Sequence, residues 1–485
     1  MNITEMTVAA LVEAVEKKEL SSREITAAFL EKADETDGDV HSYITLCHEK
    51  ALAEAERADK LDIPAIKKIP FAVKDNVAYS GVKMTCASRM LENFVPSYTA
   101  TSVEKMGGVV LGKTNLDEFA MGSSCEKSAF GDTCNPISHE HSAGGSSGGS
   151  AACVKAHSAP WAIGTDTGGS ARQPSSFCGV VSIKPTYGLV SRYGVAELAS
   201  SLDTVCPITS DVYDCAIVLE NMAGHDERDM TSTKRKSYAG EFTSAIKKEY
   251  GVRGLRIGLM DGFEKYCDEA TTRSTLRAAE IAEKLGASVE RVDMPSGDET
   301  LGAYMVISQA ECSSNLSRYD GIKYGFCAEG EDYREIMRNS RSQGFGDEVK
   351  RRIMAGCYAL SESHGGNFFA GIKGIRSRII GEAARLFEKY DIVMLPTSAC
   401  CAFKRGSFDT DPTMLYASDM FTVFANLTGV PAIQLPSGGN GVLPCGLSLM
   451  AAANCDKLLF SAAYALEAEM KSYVRDEVAQ EVENV

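Results

Sequence analysis

The chain has 485 residues, of which 44% are hydrophobic, and its formal net charge is −16. A chain of this length and composition is expected to fold around a large core, and its acidic charge argues against nucleic-acid binding through its overall field. No run of about 18 apolar residues indicates a transmembrane helix, and the first residues lack the basic start and cleavable apolar run of a secretory signal. We therefore expect a cytoplasmic protein that is not associated with a membrane.

The 16 cysteines and 7 histidines are not arranged like metal ligands. No C-x-x-C and no H-x-x-x-H pair occurs among them, although such pairs are a usual ligand spacing of zinc sites. We expect no metal site in this chain, and we expect the cysteines to be free thiols packed as small core residues in a reducing compartment.

The predicted elements begin with helices and then alternate between strands and helices, which is typical of an α/β sheet. Apolar residues at helical spacing predict two amphipathic helices within residues 7–35, the second starting at a capping-box pattern from Ser21 to Glu24. Further helices are predicted at residues 51–61, 151–156, 212–222, 244–250, 272–285, 300–314, 346–362, 367–390, 418–427 and 457–470, with a frayed tail at 476–485. Strands are predicted at residues 71–73, 109–113, 162–163, 180–183, 254–260, 287–292, 391–395, 432–435 and 445–451, with a loop at 400–412.

Two clusters of glycine and serine interrupt this pattern. The first cluster is GGSSGGS at residues 144–150, and the second cluster is TGGS at residues 167–170. Glycine pairs let a backbone approach a ligand closely, and their N–H groups can point at an oxyanion. Such runs are also typical of flexible linkers, but the apolar segments at residues 159–163 and 178–183 resemble core and argue against a linker.

Lys74 ends the predicted strand at residues 71–73. A lysine in such a place is usually a surface residue whose stem lies along apolar neighbours, so the strand alone does not make it functional. The histidines offer no evident base near the clusters, because His139, His141 and His157 are more typical of loop or surface residues.

Three local motifs are weak when taken alone. Residues 145–149 match the nucleophile-elbow pattern G-x-S-x-G, but that motif follows a strand and residues 135–142 are not predicted to form one. The pattern S-x-x-K recurs along the chain without a supporting K-T-G. A phosphate-binding P-loop requires G-K-[ST] at its end, where this chain has Ser150 and Ala151.

Lys74, the first cluster and the run DTGGS-x-R-Q-P at residues 166–174 together resemble the amidase signature family. The resemblance implies a Ser–Ser–Lys triad in which Ser170 is the nucleophile and Lys74 is the base. Ser146 would bridge the two, following a cis peptide bond from Gly145. A serine hydroxyl needs a base, and a lysine can serve only when neutral, which burial without a carboxylate partner favours.

The resemblance also implies how the second cluster works. Its loop would be ordered by Asp166 and Arg172, which we do not expect to act as catalysts. The implied oxyanion hole consists of the N–H groups of Thr167, Gly168, Gly169 and Ser170.

The fold class that the resemblance implies is one large α/β domain with a mixed central β-sheet covered by helices on both faces. We expect this domain to span residues 1–485, with an N-terminal helical region at residues 1–65. The triad would lie in a core of residues 66–215, and residues 216–485 would complete the sheet and carry the substrate-binding elements.

Four longer stretches, at residues 184–203, 310–325, 344–354 and 418–433, are similar to the glutamine-hydrolysing subunits of tRNA-dependent amidotransferases within this family. The similarity implies that Arg352 binds the carboxylate of glutamine and that Asp419 binds its ammonium group. Tyr304 would help to close the pocket. Two alternatives stay open: Arg351 in place of Arg352, and Asp419 as a cap of the helix that follows it.

Gly122 and Ser123 would line the end of the pocket that holds the amide of the substrate.

The implied function is a glutaminase that supplies ammonia to a partner, the B subunit, which would bind misacylated tRNA and convert Glu-tRNA(Gln) to Gln-tRNA(Gln). ATP and magnesium are expected on that partner and no cofactor in this chain, and a small C subunit would complete a heterotrimer. A stand-alone amidase acting on another small amide and a catalytically silent scaffold are the alternatives; the first would not need Arg352 and Asp419, and the second would not need an intact triad.

Overall fold

Most strands are buried aliphatic runs that belong to one sheet. The computed structural model describes residues 2–246, 251–294, 297–361, 367–408 and 415–483. Strands such as Trp161–Asp166 are buried along their whole length, as expected for strands covered on both faces. The strands are β1 (Tyr43–Leu46), β2 (Phe71–Lys74), β3 (Val110–Thr114), β4 (Cys134–Asn135), β5 (Ser138–Ser142), β6 (Trp161–Asp166), β7 (Val181–Lys184), β8 (Thr204–Thr209), β9 (Arg256–Met260), β10 (Ser288–Val292), β11 (Ile392–Pro396), β12 (Ala432–Gly439) and β13 (Pro444–Met450).

The helices connect these strands and flank the sheet. Where α2 begins, the predicted capping box is present: Ser21 Oγ accepts a hydrogen bond from the Glu24 N–H, and the Glu24 carboxylate accepts one from the Ser21 N–H. None of the described helices is long and apolar enough to cross a bilayer. The helices are α1 (Val8–Glu16), α2 (Ser22–Val40), α3 (His48–Asp59), α4 (Thr101–Lys105), α5 (Gly148–Lys155), α6 (Arg172–Cys178), α7 (Val212–Met222), α8 (Glu241–Ile246), α9 (Glu269–Lys284), α10 (Gly297–Asn315), α11 (Tyr333–Gly344), α12 (Asp347–Leu360), α13 (Asn367–Lys389), α14 (Val423–Thr428) and α15 (Asp456–Glu483).

Within the described residues, 11 strands form one mixed sheet in the order β1-β3-β2-β6-β8-β7-β12-β13-β11-β9-β10. β2 runs parallel to β3 and β6 in one half, and β9 runs parallel to β10 and β11 in the other. The pairs between these two groups are antiparallel. This topology, with helices flanking the sheet, confirms the predicted fold class.

β2 and β6 lie side by side and bring the two clusters to one edge of the sheet. Because these strands are parallel, with Ala72 opposite Ala162, their C-terminal ends lie at the same edge. β2 ends at Lys74, and β6 ends at Asp166, directly before the second cluster. The helix α5, predicted at residues 151–156, starts three residues earlier, at Gly148 within the first cluster.

The strand β5 forms at residues 138–142, although no strand is predicted before the first cluster. It pairs with β4, and the Ser142 N–H donates to the Phe403 carbonyl at 2.9 Å. Its sequence SHEHS lacks the apolar alternation that predicts a strand. Backbone pairing, and not burial of apolar side chains, stabilises this partly exposed strand. The argument that residues 135–142 exclude a nucleophile elbow is therefore wrong. The middle serine of that pattern, Ser147, is nevertheless buried against Lys74 at 2.8 Å between Oγ and Nζ, and so is not presented to a substrate.

Besides β5, six elements are not predicted from the sequence: β1, β4, β8, α4, α6 and α11. β8 reads TVCPIT and is buried along its whole length. Its proline and two threonines interrupt the apolar run that would predict a buried strand. At the C-terminus, α15 continues to Glu483 where fraying is predicted, because the added residues are mostly good helix formers such as glutamate and alanine. The predicted helical residues 247–250 and 362 and the predicted loop residues 409–412 lie outside the described residues.

Candidate active site

Lys74 is fully buried and hydrogen-bonded to hydroxyl groups. Its Nζ lies 2.7 Å from Ser146 Oγ, 2.8 Å from Ser147 Oγ and 2.9 Å from Thr165 Oγ1. Within the described residues its ammonium group forms no ion pair with a carboxylate. The alternative that Lys74 is a surface lysine is therefore wrong, and its three N–H donors are directed into the first cluster and β6.

The pKa of Lys74 suits proton transfer near neutral pH. Burial lowers it to about 8, while the nearby carboxylates Asp117 and Asp166 act in the opposite direction and raise it. A neutral amine that hydrogen-bonds to serine hydroxyls can accept a proton from them. The arrangement therefore has the base that serine chemistry requires.

The peptide bond between Gly145 and Ser146 is cis, as predicted. The Gly145 N–H donates to Gln173 Oε1 at 2.9 Å. A Cβ atom on Gly145 would lie 2.1 Å from Asp117 Oδ2, so only glycine fits at this position. Asp117 is in turn held by the N–H groups of Cys125 at 2.9 Å and Lys127 at 3.2 Å.

Asp166 holds the loop of the second cluster in place. Its carboxylate accepts hydrogen bonds from the Gly169 N–H at 2.9 Å and the Ala171 N–H at 3.2 Å. It also pairs with the Arg172 guanidinium at 3.0 Å and accepts from Asn426 Nδ2 at 2.9 Å. Although burial alone would raise the pKa of Asp166, the neighbouring Arg172 keeps it well below its usual range. The structure thus confirms the predicted loop-ordering contacts of Asp166 and Arg172.

Ser170 lies at the base of this loop with 9% of its surface exposed. Its carbonyl accepts a hydrogen bond from the Ser147 N–H at 2.9 Å, which ties the second cluster to the first. The Ser170 hydroxyl makes no hydrogen bond within the described residues. Ser170 and Ser146 are thus brought together on neighbouring loops, but the direct hydrogen bond between their hydroxyls that the implied relay needs is not formed.

The predicted oxyanion hole must be corrected at Gly169. Its N–H donates to Asp166 and does not point freely into the site. The N–H groups of Thr167, Gly168 and Ser170 make no hydrogen bond in the part of the chain that the structure describes. These three donors are the ones free to face an oxyanion.

Asp419 is buried and faces the predicted pocket wall. Its carboxylate oxygens lie 3.1 and 3.2 Å from Ser123 Oγ, which donates to them. Burial raises the pKa of Asp419 to about 7, while Arg352 and Ser123 lower it. The side chain does not cap α14, whose N-cap residue Thr422 also provides no side-chain cap. The capping alternative is therefore wrong.

Arg352 lies on α12 and is 4% exposed. Its Nε donates to Glu348 Oε1 at 2.8 Å, and its guanidinium lies 5.2 Å from the centre of the Tyr416 ring. Arg351 is exposed and pairs with Glu348. Of the two arginines, Arg352 is the one that lines the pocket.

Tyr304 lies against the second cluster, and Gly122 lies beside Asp117. The Tyr304 ring packs on the second cluster so closely that a Cβ atom on Gly168 would lie 2.4 Å from its hydroxyl oxygen. Gly122 and Arg352 line a pocket together, and a Cβ on Gly122 would lie 2.4 Å from the Asp117 carboxyl carbon. The pocket encloses about 10 Å³, the space of roughly one water molecule, so binding of a larger molecule requires these side chains to move.

Several contacts of the site were not predicted. Thr165 and Ser147 both bind Lys74. Each is a polar residue adjacent to a predicted motif residue, and this adjacency is the sequence signal that marks them. Glu348 and Tyr416 contact Arg352. Glu348 precedes Arg352 by four residues on the predicted helix at 346–362, a spacing that could have indicated the pair, whereas no local pattern marks Tyr416. Among the described residues, no group of three or more histidine, cysteine, aspartate or glutamate side chains is arranged to hold a metal ion.

Known sequences are similar to this chain over nearly its whole length. The family model described as Amidase matches residues 24–460. The A subunit of glutamyl-tRNA(Gln) amidotransferase from Caldanaerobacter subterraneus subsp. tengcongensis is 44% identical over 480 residues, which covers 97% of this chain and 98% of that protein. The protein of the same name from Moorella thermoacetica is 45% identical over 476 residues, covering 96% of this chain and 97% of the relative.

Solved structures share the fold at similar coverage. The crystal structure of the glutamyl-tRNA(Gln) amidotransferase A subunit from Thermotoga maritima has a TM-score of 0.80 at 38% identity, covering 96% of this chain and 95% of that one. The native peptide amidase from Stenotrophomonas maltophilia has a TM-score of 0.82 at 29% identity, covering 96% and 97%. Because an amidase of different name has the same fold, the substrate must be argued from the site.

Proposed function

This chain belongs to the amidase family, and on that premise we propose that it is the glutamine-hydrolysing subunit of a tRNA-dependent amidotransferase. The observation that carries the proposal is the pairing of two features in one site. A buried lysine is hydrogen-bonded to Ser146 at 2.7 Å, and a buried cation, Arg352, and a buried anion, Asp419, lie on the walls of the same site.

The first step is attack of the Ser170 hydroxyl oxygen on the side-chain carbonyl carbon of glutamine. The proton of Ser170 passes through Ser146 to the neutral amine of Lys74. The tetrahedral oxyanion accepts hydrogen bonds from the free N–H groups of the second cluster, each of which is worth about 3 kcal/mol in such a transition state. Because the Ser170 hydroxyl makes no hydrogen bond in the free enzyme, it must turn toward Ser146 when substrate binds, as catalytic hydrogen bonds commonly tighten in the complex.

The intermediate then collapses with cleavage of the carbon–nitrogen bond. The proton held by Lys74 returns through Ser146 to the leaving nitrogen, so that ammonia departs and a γ-glutamyl ester of Ser170 remains. Water attacks this ester by the same route, giving glutamate and restoring the Ser170 hydroxyl. Lys74 serves as base in the attack and as acid in the departure, which is consistent with a pKa near the working pH.

Arg352 and Asp419 select the amino-acid part of the substrate. The α-carboxylate of glutamine binds the Arg352 guanidinium, which exchanges part of its contact with Glu348 for the ligand. The α-ammonium binds the Asp419 carboxylate, which Ser123 holds in place. Tyr304 closes the pocket over the second cluster, and Gly122 leaves room for the amide end.

The ammonia is used by other subunits. The curated relatives are named as A subunits, and we infer that a partner, the B subunit, holds the misacylated tRNA with ATP and magnesium and converts Glu-tRNA(Gln) to Gln-tRNA(Gln). The C subunit completes a heterotrimer with this chain and the B subunit, and the complex works in the cytoplasm. The net charge of −16 fits a chain that does not hold the tRNA itself.

Two glutamine analogues separate this function from that of a stand-alone amidase. Glutaramate lacks the α-ammonium group, and 4-aminobutanamide lacks the α-carboxylate. Each should be hydrolysed at least about 100-fold less efficiently than glutamine, because each loses one charge-assisted contact with the buried groups of the site. Ammonia release from the three amides measures kcat/KM for each, and equal efficiencies would identify a less selective amidase.

A further inference from the structure

Glu118 is a buried carboxylate near the site that takes no part in the steps above. It is 4% exposed and lies in the short helical turn Glu118–Ala120, between β3 and the first cluster. One carboxylate oxygen accepts a hydrogen bond from Ser88 Oγ at 2.5 Å, and the other accepts one from the Gly346 N–H at 2.8 Å. Glu118 therefore joins three segments that are far apart in the sequence.

The contact with Gly346 is at the beginning of α12. Gly346 is the N-cap residue of that helix, and as a glycine it offers no side chain to cap it. A Cβ atom on Gly346 would lie 2.4 Å from Glu118 Oε2. The carboxylate thus occupies the space in which another residue would carry its side chain, and it fixes where α12 starts.

The two ends of this contact lead to opposite walls of the site. On one side, Asp117 packs against Gly145 and Gly122, and Ser123 binds Asp419. On the other side, Arg352 lies six residues after Gly346, about 9 Å along the helix axis. Glu118 connects the first wall directly to the start of the helix bearing Arg352.

We propose that Glu118 is a positioning residue that holds α12, and with it Arg352, at the correct distance from Asp419 for binding the amino-acid part of glutamine. Its kinetic consequence rests on the proposed function, because Arg352 and Asp419 recognise the substrate only if the substrate is glutamine. The effect falls on substrate binding and leaves the chemistry of Lys74, Ser146 and Ser170 intact.

The role needs the shape of the side chain and its acceptor oxygen more than its charge. Burial raises the pKa of Glu118 to about 7, so an uncharged form is tolerated there. In Glu118→Gln, the amide oxygen can still accept from the Gly346 N–H. The amide nitrogen can donate to Ser88 Oγ, which lies 3.2 Å from the Gly344 carbonyl and can donate to it in turn.

The first test compares Glu118→Ala with Glu118→Gln in ammonia release by the assembled complex. Glu118→Ala should raise KM for glutamine by about tenfold or more and change kcat by less than about threefold, since a buried N–H loses a charged acceptor far from the reacting atoms. Glu118→Gln should stay within about threefold of the wild type in both constants. Equal loss in the two variants, or an unchanged KM in Glu118→Ala, overturns the proposal.

A double-mutant cycle with Gly346→Ala tests the contact itself. The added Cβ should disturb the wild type through its clash with Glu118, and should cost less in the Glu118→Ala background, where the space is free. Additive effects would show that the two residues act independently and would overturn the proposal. Glu467→Ala is the matched control, because Glu467 is also buried and accepts from a helix-start N–H, that of Val212 at 3.3 Å, away from this site. It should lower the melting temperature without raising KM.

Amide hydrogen exchange separates this proposal from the proposed function. In Glu118→Ala, exchange over residues 347–353 should become faster by about tenfold or more, while Glu118→Gln keeps the wild-type rate. This result does not depend on which amide the enzyme hydrolyses. Unchanged exchange over these residues in a folded Glu118→Ala protein overturns the positioning role, whereas failure of the wild type to hydrolyse glutamine overturns only the proposed function.

Discussion

Three buried lysines in the sheet show how much the surroundings of one residue decide its chemistry. Lys113 forms an ion pair with Asp75 at 2.9 Å, and Lys184 donates to the Pro185 carbonyl at 2.8 Å. Lys74 instead donates to the hydroxyls of the first cluster and β6. Burial lowers the pKa of both Lys74 and Lys184 to about 8, so a suitable pKa alone does not make a base. In the proposed mechanism, the position beside Ser146 is what makes Lys74 the base.

Replacing Lys74 tests this distinction. Lys74→Met removes the proton acceptor of Ser170 and should lower kcat by at least about 100-fold. Lys184→Met is the matched control, since it also replaces a buried lysine with an apolar chain of similar length. It should change stability but keep kcat within about tenfold of the wild type. Near-normal glutaminase activity in Lys74→Met would show that another group is the base.

The pH dependence of glutamine hydrolysis reports two shifted groups. The pKa of Lys74 is lowered to about 8, so its neutral, basic form increases as the pH rises through about 8 and kcat/KM should rise with it. The pKa of Asp419 is raised to about 7, so below that value the free enzyme loses the anion that binds the substrate ammonium. Both effects predict falling kcat/KM toward acid pH.

The contribution of Asp419 can be removed from this profile. In Asp419→Asn, the change in kcat/KM near pH 7 should disappear, and kcat/KM should be low at every pH. The increase in kcat/KM near pH 8, which Lys74 causes, should remain. A profile of kcat/KM that is flat between about pH 6 and about pH 9 in the wild type would contradict the assigned roles.

At the scale of elements, the second cluster is held from three sides. β6 supplies Asp166, which binds the N–H groups of the loop. Thr422 Oγ donates to the Gly168 carbonyl, and Tyr304 from α10 packs on the same residue. The free N–H groups of the loop are thereby fixed before any substrate arrives, which is what transition-state stabilisation by a backbone requires.

Gly168→Ala should disturb this element more than a typical loop substitution. The added methyl would lie 2.4 Å from the Tyr304 ring, so the ring or the loop must shift. We expect kcat/KM for glutamine to fall by about tenfold or more, together with a lower melting temperature. Gly371→Ala in α13 is the control, because no atom lies within 4 Å of its added Cβ and alanine favours the helix. Unchanged kinetics in Gly168→Ala would show that this loop is not held against Tyr304 during catalysis.

Three elements at the site, β2, β6 and α5, were predicted from the sequence. β2 and β6 are apolar runs that end at Lys74 and at the second cluster, and α5 follows a run of glycines, so local patterns mark all three. β8 was missed because pairing with β6 and β7, rather than local alternation, makes it a strand. β5 was missed because it is polar and partly exposed, and backbone pairing with β4 and with Phe403 holds it. Long-range contact also explains why Tyr416 and Glu118 were not found, since each acts on a residue far away in the sequence.

At the scale of the whole molecule, one mixed sheet places the triad residues and the charged pocket in a single domain. The division into regions 1–65, 66–215 and 216–485 stays a prediction. Arg352 and Asp419 come from the last of these regions and Lys74, Ser146 and Ser170 from the second, so the site needs both to be folded together. The net charge of −16 fits the proposal that a partner subunit, and not this chain, holds the tRNA.

The most direct test of the account is ammonia release from glutamine by this chain, measured with and without the two partner subunits and charged tRNA, for the wild type and Ser170→Ala. The account predicts that the wild-type complex releases ammonia, that the partners stimulate this release, and that Ser170→Ala lowers it by at least about 1,000-fold. Strong hydrolysis of other amides by the lone chain with glutamine ignored, or glutaminase activity that survives in Ser170→Ala, would contradict it.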